Sequence, residues 1–175
     1  MNEAVIIPTG NEIKDGTVLD TNSSAIMFSI ISMAPLCTVH RVKPVEDNQN
    51  EIYRAVEYWV NKGVDLVVVI GGSGGGHLYS SSLSKDYTHN ALESLLDEKT
   101  SREIWGKNGH LWSKLVCGKK NGVLVINVPG PYTEAKAAIE AFCRIYSLFP
   151  NGLAEINTAM IQAVFAQYPK NEIQE

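Results

Sequence analysis

One stretch of the chain combines residue types suited to holding an anion. Val67-Val-Val-Ile-Gly-Gly-Ser-Gly-Gly-Gly76 is followed by Asp86-Tyr-Thr-His-Asn-Ala91. The β-branched run suits a strand covered on both faces. Gly71, Gly72, Ser73 and Gly74 carry no bulky side chains, so their backbone N–H groups can approach a phosphate closely. Asp86 stands just before what reads as a helix start. A carboxylate there, like Asp20 earlier in the chain, can hold a divalent cation such as Mg2+ against phosphates. Both aspartates suit helix N-capping equally well. Thr9, Ser23, Ser73 and Thr88 add hydroxyls. His77 reads first as a solvated loop histidine and second as a base or phosphate partner.

Three small-residue loops each follow an apolar strand candidate: Pro8 to Gly16, Gly71 to Gly76, and Pro129 to Pro131. A lone glycine loop usually just makes a turn. Parallel strands would bring all three loops to one sheet edge, where open α/β sheets bind ligands.

The elements that must position these loops follow from periodicity. Ala4 to Ile7 predicts a strand. The N-cap-rich Asp20-Thr-Asn-Ser23 opens a helix over about Thr21 to Met33, stopped by Pro35. Leu36 to Val42 alternates like a strand. Ile52, Ala55, Val56, Trp59 and Val60 share a helix face, closed by Gly63. Asp65 to Ile70 is the next strand. The order β-α-β-α-β predicts a three-layer α/β/α fold with a mainly parallel sheet and helices on both faces. Further along, Ser80 to Lys85 reads as a polar loop and Thr88 to Leu96 as a helix. Thr100 to Ser113 fits no period; Trp105 and Trp112 read as packing anchors. Lys114 to Cys117 and Val123 to Val128 read as strands joined by Gly-Lys-Lys-Asn-Gly, with Asn121-Gly122 as a hairpin signal. Ala135, Ala138, Ile139, Phe142 and Tyr146 mark a helix, and Leu153 to Gln167 a last one.

Bulk properties restrict the function class. The 175 residues suit a single domain over 1–175, with 45% hydrophobic and 19% charged residues as in a soluble globular protein. A net charge of −4 without a basic stripe argues against nucleic acid as a partner. No apolar run is long enough to cross a bilayer, and Met1-Asn-Glu-Ala-Val lacks signal-peptide features, so a cytoplasmic location is expected. Cys37, Cys117 and Cys143 form no CxxC pair and read as buried thiols. The four histidines show no metal-ligand spacing.

Four motifs in order resemble one family. Pro8-Thr-Gly-Asn-Glu-Ile-Lys-Asp-Gly-Thr-Val-Leu-Asp-Thr-Asn22 is similar to a T-G-[DN]-E pattern followed by a glycine and D-[TS]-N. Gly71-Gly-Ser-Gly74 resembles G-G-[TS]-G, and Asp86-Tyr-Thr-His-Asn-Ala91 resembles D-x-T-x-x-A. Asn127-Val-Pro-Gly-Pro131 resembles an L-P-G-x-P loop. Together they resemble the molybdopterin-binding domain shared by molybdopterin adenylyltransferases, molybdopterin molybdotransferases and competence-damage-inducible proteins. Gly75 to Lys85 looks like an insertion relative to that pattern.

The resemblance implies a pocket for a phosphate-bearing pterin across the three loops. Its ligand-binding residues would be Thr9, Gly10, Asn11, Glu12, Asp20, Asn22, Ser23, Gly71, Gly72, Ser73, Gly74, Thr88, Pro129 and Gly130. In the adenylyltransferase branch, Asp86 would act with Mg2+ to join molybdopterin to AMP from ATP. Asp20 is the second metal candidate. Tyr79 and Tyr87 are candidates to stack on the pterin. A competence-type nucleotide pyrophosphatase, and a non-catalytic module that keeps the fold for protein contacts, are the two other readings.

A homo-oligomer, dimer or trimer, is also expected. In the last helix Leu153, Ile156, Met160, Ala163 and Val164 make one stripe. Ala159, Ile161 and Phe165 widen it, which places Phe165 at a contact.

Overall fold

Ala4 to Ile7, Leu66 to Ile70 and Leu124 to Ile126 are buried at every position, so the sheet they build is covered on both faces. The computed structural model describes residues 1–72, 87–107 and 109–169. Within them the chain runs β1 (Glu3–Pro8), α1 (Asn11–Lys14), α2 (Asn22–Met33), β2 (Thr38–Arg41), α3 (Gln49–Lys62), β3 (Leu66–Ile70), α4 (Tyr87–Leu95), β4 (Glu98–Trp105), β5 (Leu111–Lys120), β6 (Val123–Val128), α5 (Tyr132–Tyr146) and α6 (Leu153–Phe165).

The six strands form one sheet in the order β2-β1-β3-β6-β5-β4. The pairs β1–β2, β1–β3 and β3–β6 are parallel. β5 pairs antiparallel with both β6 and β4, so it alone runs against the others. Strand pleating sorts the core into two halves. Ile6, Val68 and Ile126 pack with Ile26, Ile139, Phe142 and Met160 under α2, α5 and α6. Val5, Ile7, Val67, Val69 and Val125 pack with Ile52, Val56, Leu92 and Leu95 under α3 and α4. The expected three-layer α/β/α arrangement is present.

Local signals account for the element ends. Asn48 caps α3, its side chain accepting from the amides of Asn50 and Glu51, and Gly63 ends that helix in the left-handed region at φ 76°. Asn121 and Gly122, at φ 51° and 82°, make the two-residue turn between β5 and β6. Gly118, Lys119 and Lys120 are therefore strand rather than loop. Cys37, Cys117 and Cys143 are buried free thiols, as their neighbours imply.

Several expectations need correction. Within Thr100 to Ser113, Thr100 to Trp105 is most of β4 and Leu111 to Ser113 is the start of β5. β4 is an edge strand whose side chains are nearly all exposed, so no alternation marks it. Trp112 is buried against Tyr168, with rings 5.1 Å apart, as expected of a packing anchor. Trp105 is not one: it is 41% exposed, and its indole N–H donates to Glu103 at 3.0 Å. The wide apolar surface of α6 is covered within the chain, by α5 on one side and by β4 and β5 on the other. It leaves no broad bare face, only a Phe165 that is 40% exposed. The second apolar side of this helix faces α5, a partner that periodicity alone does not reveal. The Ser80 to Lys85 loop lies outside the described residues.

Candidate functional site

Parallel register aligns the ends of three strands. Pro8 lies level with Ile70, and Ile70 with Val128. Thr9, Gly71 and Pro129 therefore leave the sheet side by side, which is the shared edge the sequence predicts. The Thr9 amide and the Thr9 hydroxyl both donate to the Ile70 carbonyl, at 2.9 Å and 2.8 Å. The Gly71 amide donates to the Val128 carbonyl at 3.0 Å.

The glycines here are required by geometry. Gly71, at φ 95°, would place a Cβ 2.8 Å from the Thr9 hydroxyl. Gly72, at φ 58°, would drive a Cβ into the Thr88 hydroxyl, with the Thr88 Cβ only 3.0 Å away. Gly10 has φ 129°, and its amide donates to the Val45 carbonyl at 3.0 Å. These positions leave the backbone bare where the chain turns off the sheet.

Two polar atoms at this edge have no hydrogen-bond partner among the described residues. Thr88 Oγ1 is fully buried on the first turn of α4, and Asn22 Oδ1 is buried at the start of α2. A buried polar atom left without a partner costs about 1–3 kcal/mol. An atom of that kind beside a glycine cradle fits a ligand that supplies the missing bond. The Asn22 amide nitrogen donates to the Gly130 carbonyl at 2.6 Å, which ties α2 to the Pro129–Pro131 loop.

Asp20 is held differently. One carboxylate oxygen accepts from the Ser23 amide at 3.0 Å. The other accepts from the Ser23 hydroxyl at 2.5 Å and from Arg41 Nε and Nη2 at 3.1 Å and 2.9 Å. Burial alone would raise its pKa; the Ser23 and Arg41 bonds outweigh that and hold it below the usual value. The N-cap position of α2 is taken by Thr21, so Asp20 is not the cap residue itself, although it accepts from the first-turn amide of Ser23. Asp20, Ser23 and Arg41 share a cavity of about 380 Å3 with Ile13, Val18, Leu19 and Met27. That volume lies within the range of small-molecule sites. Arg41, at the end of β2, is a residue that sequence reasoning missed, because only the fold brings it to Asp20.

Asn11 and Glu12 sit on α1 beside the same edge. Asn11 Oδ1 accepts from the Asp47 amide at 3.2 Å. Burial, together with the Glu12 charge, pushes the Asp47 carboxyl upward. Asn127 was also missed as a shaping residue. Fully buried in β6, it accepts from the Val116 amide at 2.6 Å and donates to the Lys114 carbonyl at 3.0 Å. Its side chain continues the pairing of β5 beyond the last Cys117–Ile126 register pair.

Lys114 in turn contacts Glu93 at 2.8 Å and Glu103 at 3.1 Å. Beside it, buried His89 is pushed down to about 4, first by burial and then by the Lys114 charge.

Ser73, Gly74, His77, Tyr79 and Asp86 lie outside the described residues. Among the described residues no group of three His, Cys, Asp or Glu side chains could hold a metal ion. Arg41 engages only one of the two Asp20 carboxylate oxygens; the other accepts from the Ser23 amide.

A three-layer α/β domain with glycine turns at the ends of parallel strands, and with buried polar atoms there that have no partner among the described residues, belongs to the class of open α/β sheets that bind ligands at the carboxyl ends of their strands. Residues 5–148 match the family described as a probable molybdopterin binding domain, and the chain belongs to that family. It is 28% identical over 151 residues to a molybdenum cofactor biosynthesis bifunctional protein of Chlorobaculum tepidum, covering 83% of this chain and 46% of that protein. It is 35% identical over 72 residues to a CinA-like protein of Flavobacterium psychrophilum, covering 41% of this chain and 16% of that one. The chain thus spans less than half the length of these relatives.

Among solved structures it is similar to the molybdopterin biosynthesis enzyme MoaB of Thermus thermophilus. The TM-score is 0.64 at 22% identity, over 90% of this chain and 98% of that one. It is also similar to the CinA protein of Thermoplasma acidophilum, with a TM-score of 0.57 at 16% identity, over 87% and 98%. At these identities the structures support the fold.

Proposed function

We propose that this chain binds molybdopterin, or a closely similar phosphate-bearing pterin, in the biosynthesis or handling of the molybdenum cofactor. The observation that carries the reading is the fully buried Thr88 hydroxyl, without a partner among the described residues, facing the Gly72 turn. A ligand phosphate oxygen there would accept from Thr88 and from backbone N–H groups of the Gly71-Gly-Ser-Gly74 loop. Thr9, Gly10, Pro129 and Gly130 form the walls of the same edge. The Asn22 carbonyl oxygen offers an acceptor for a pterin amine. Asn11, Glu12, Asp20 and Ser23 line the approach from α1 and α2.

The finer reading is adenylylation of the bound pterin with Mg2+ and ATP. Nucleotidyl transfer needs mostly positioning, a cation and charge stabilisation. Asp86 is the residue proposed to hold Mg2+, which would neutralise phosphate charge; Asp20, kept ionised by its bonds from Ser23 and Arg41, is proposed as its second carboxylate. Turnover with molybdopterin, Mg2+ and ATP tests this. Asp86→Asn is expected to lose about 10²–10³-fold in rate with binding largely retained. Undiminished turnover would exclude the role.

Residues 1–175 are proposed to act as one domain in the cytoplasm. Among the described residues no helix is long and apolar enough to cross a membrane. A competence-type pyrophosphatase remains the second reading, supported by the match to the CinA-like relative. Mass spectrometry of ligand released from the purified protein separates them: a pterin favours the first, a nucleotide alone the second.

A further inference from the structure

β4 and β5 run on past the rest of the sheet. The pairing of β5 with β6 reaches Cys117 opposite Ile126, and β6 ends at Val128, whereas the pairing of β5 with β4 continues to Leu111 opposite Trp105. The hairpin therefore overshoots the ends of the parallel strands by about four residues, or ~13 Å. It does so at the edge where Thr9, Gly71 and Pro129 leave the sheet. Just past Trp105 the chain turns back, the Gly106 amide donating to the His110 carbonyl at 3.0 Å.

Trp105 stands on this projecting wall with no packing role to account for it. Ile104 beside it is buried in the half of the core under α6, while Trp105 faces the other side of the sheet and is 41% exposed. A chain of contacts fixes the indole there. Its N–H donates to Glu103 at 3.0 Å, and Lys114 bridges Glu103 at 3.1 Å to Glu93 of α4 at 2.8 Å. Burial would raise the Glu103 carboxyl pKa; the bonds from Lys114 and Trp105 outweigh it and hold it below its usual value. The indole is thus anchored by an ionised acceptor, which makes a stronger bond than a neutral one. α4 packs over β5 and β6. Its first turn carries Thr88, against Gly72, and His89, which feels the charges of Lys114 and Glu103. Thr88 therefore lies one or two strand spacings, ~5–10 Å, from the strand that bears Trp105.

We propose that the exposed face of Trp105 stacks on the planar heteroaromatic ring of the ligand whose phosphate lies at Gly72 and Thr88. An indole face offers a large flat contact and accepts any planar ring. The separation from Thr88 is one that the ring and phosphate of a pterin phosphate or of a mononucleotide span. Pterin and adenine present the same stacking chemistry, so either can be the ring held there. The inference rests on the proposed phosphate-bearing ligand and adds to it the residue that holds the ring. Thr88 and the glycine turn then hold one end of the ligand, and Trp105 the other.

Anaerobic calorimetric titrations of molybdopterin, adenosine 5′-monophosphate and inorganic phosphate decide it. They are run on the wild type, Trp105→Ala and Trp105→Phe, with circular dichroism to establish that each is folded. Trp105→Ala is expected to weaken a ring-bearing probe on the order of tenfold or more, and Trp105→Phe to keep most of the affinity. Inorganic phosphate should bind all three proteins equally. A loss confined to molybdopterin assigns the ring as a pterin; one confined to the nucleotide assigns it as adenine. Equal affinity of the wild type and Trp105→Ala for every ring-bearing probe that binds overturns the inference. So does an equal loss for inorganic phosphate, or binding of neither ring-bearing probe. A wild type that ignores molybdopterin but binds the nucleotide through Trp105 would overturn the pterin reading and leave this inference standing.

Discussion

The Asn22 side-chain amide donates to the Gly130 carbonyl at 2.6 Å, joining two segments 108 positions apart in sequence. It fixes α2 to the loop after β6 and points the Asn22 carbonyl oxygen into a buried position. Asn22→Ala removes both the tie and the acceptor. Ligand affinity is expected to fall about tenfold, a loss of about 1.4 kcal/mol. Stability should change by less than about 1 kcal/mol, because Asn22 is only half buried. Calorimetric titration and thermal melts of the same samples check the two effects separately.

The Gly72 turn makes a sterner demand. A side chain at φ 58° is strained, and its Cβ meets Thr88. The substitution therefore costs about 1–3 kcal/mol in the fold as well as blocking the ligand. Gly72→Ala is expected to lower the Tm by several degrees, at roughly 2–4 °C per kcal/mol for a domain of this size, and to abolish binding. Gly109, also at positive φ but with open space around it, is the control: Gly109→Ala should leave binding unchanged.

Buried His89 gives the fold a pH dependence with a definite sign. Its pKa is pushed from 6.5 down to about 4, so the unfolded chain binds a proton that the folded chain refuses. Stability is expected to be full above about pH 6.5 and to fall as the pH drops toward 4. The loss is about 2 kcal/mol after allowance for partial access of water. Urea melts between pH 4 and 7 should show it, and His89→Gln should flatten the slope; an unchanged slope would assign it to other groups.

Tyr168 and Glu134 tie the end of the described chain to the start of α5. The Tyr168 hydroxyl donates to Glu134 Oε2 at 2.9 Å, both residues buried, and Glu134 lies in the first turn of α5. Burial, followed by the Glu134 charge, raises the phenol pKa, so it stays a donor at neutral pH. Tyr168→Phe is expected to destabilise by about 1–3 kcal/mol, since a buried carboxylate oxygen loses its donor. A Tm within one degree of wild type would contradict this.

Much of the fold was legible because periodicity and punctuation agree. Ile52, Val56 and Val60 form one face closed by Gly63, and Val67 to Ile70 runs straight into glycine. β4 was not legible, because an edge strand of Glu98, Lys99, Arg102 and Glu103 has no apolar face to alternate. Thr9, Gly71 and Pro129 could be brought together from sequence, since parallel strands order their own ends. Arg41 at Asp20, and Asn127 bridging to β5, depend on register between strands and leave no local signal.

The most direct test of the ligand reading is an anaerobic titration of molybdopterin into the wild type and Thr88→Val. The substitution keeps the side-chain shape and removes the orphaned hydroxyl. The expected result is saturable binding by the wild type, weakened about tenfold in Thr88→Val, while that variant melts at the same or a higher temperature because a buried hydroxyl without a partner among the described residues is gone. Equal affinity in the two proteins, or no binding by either, would contradict the account.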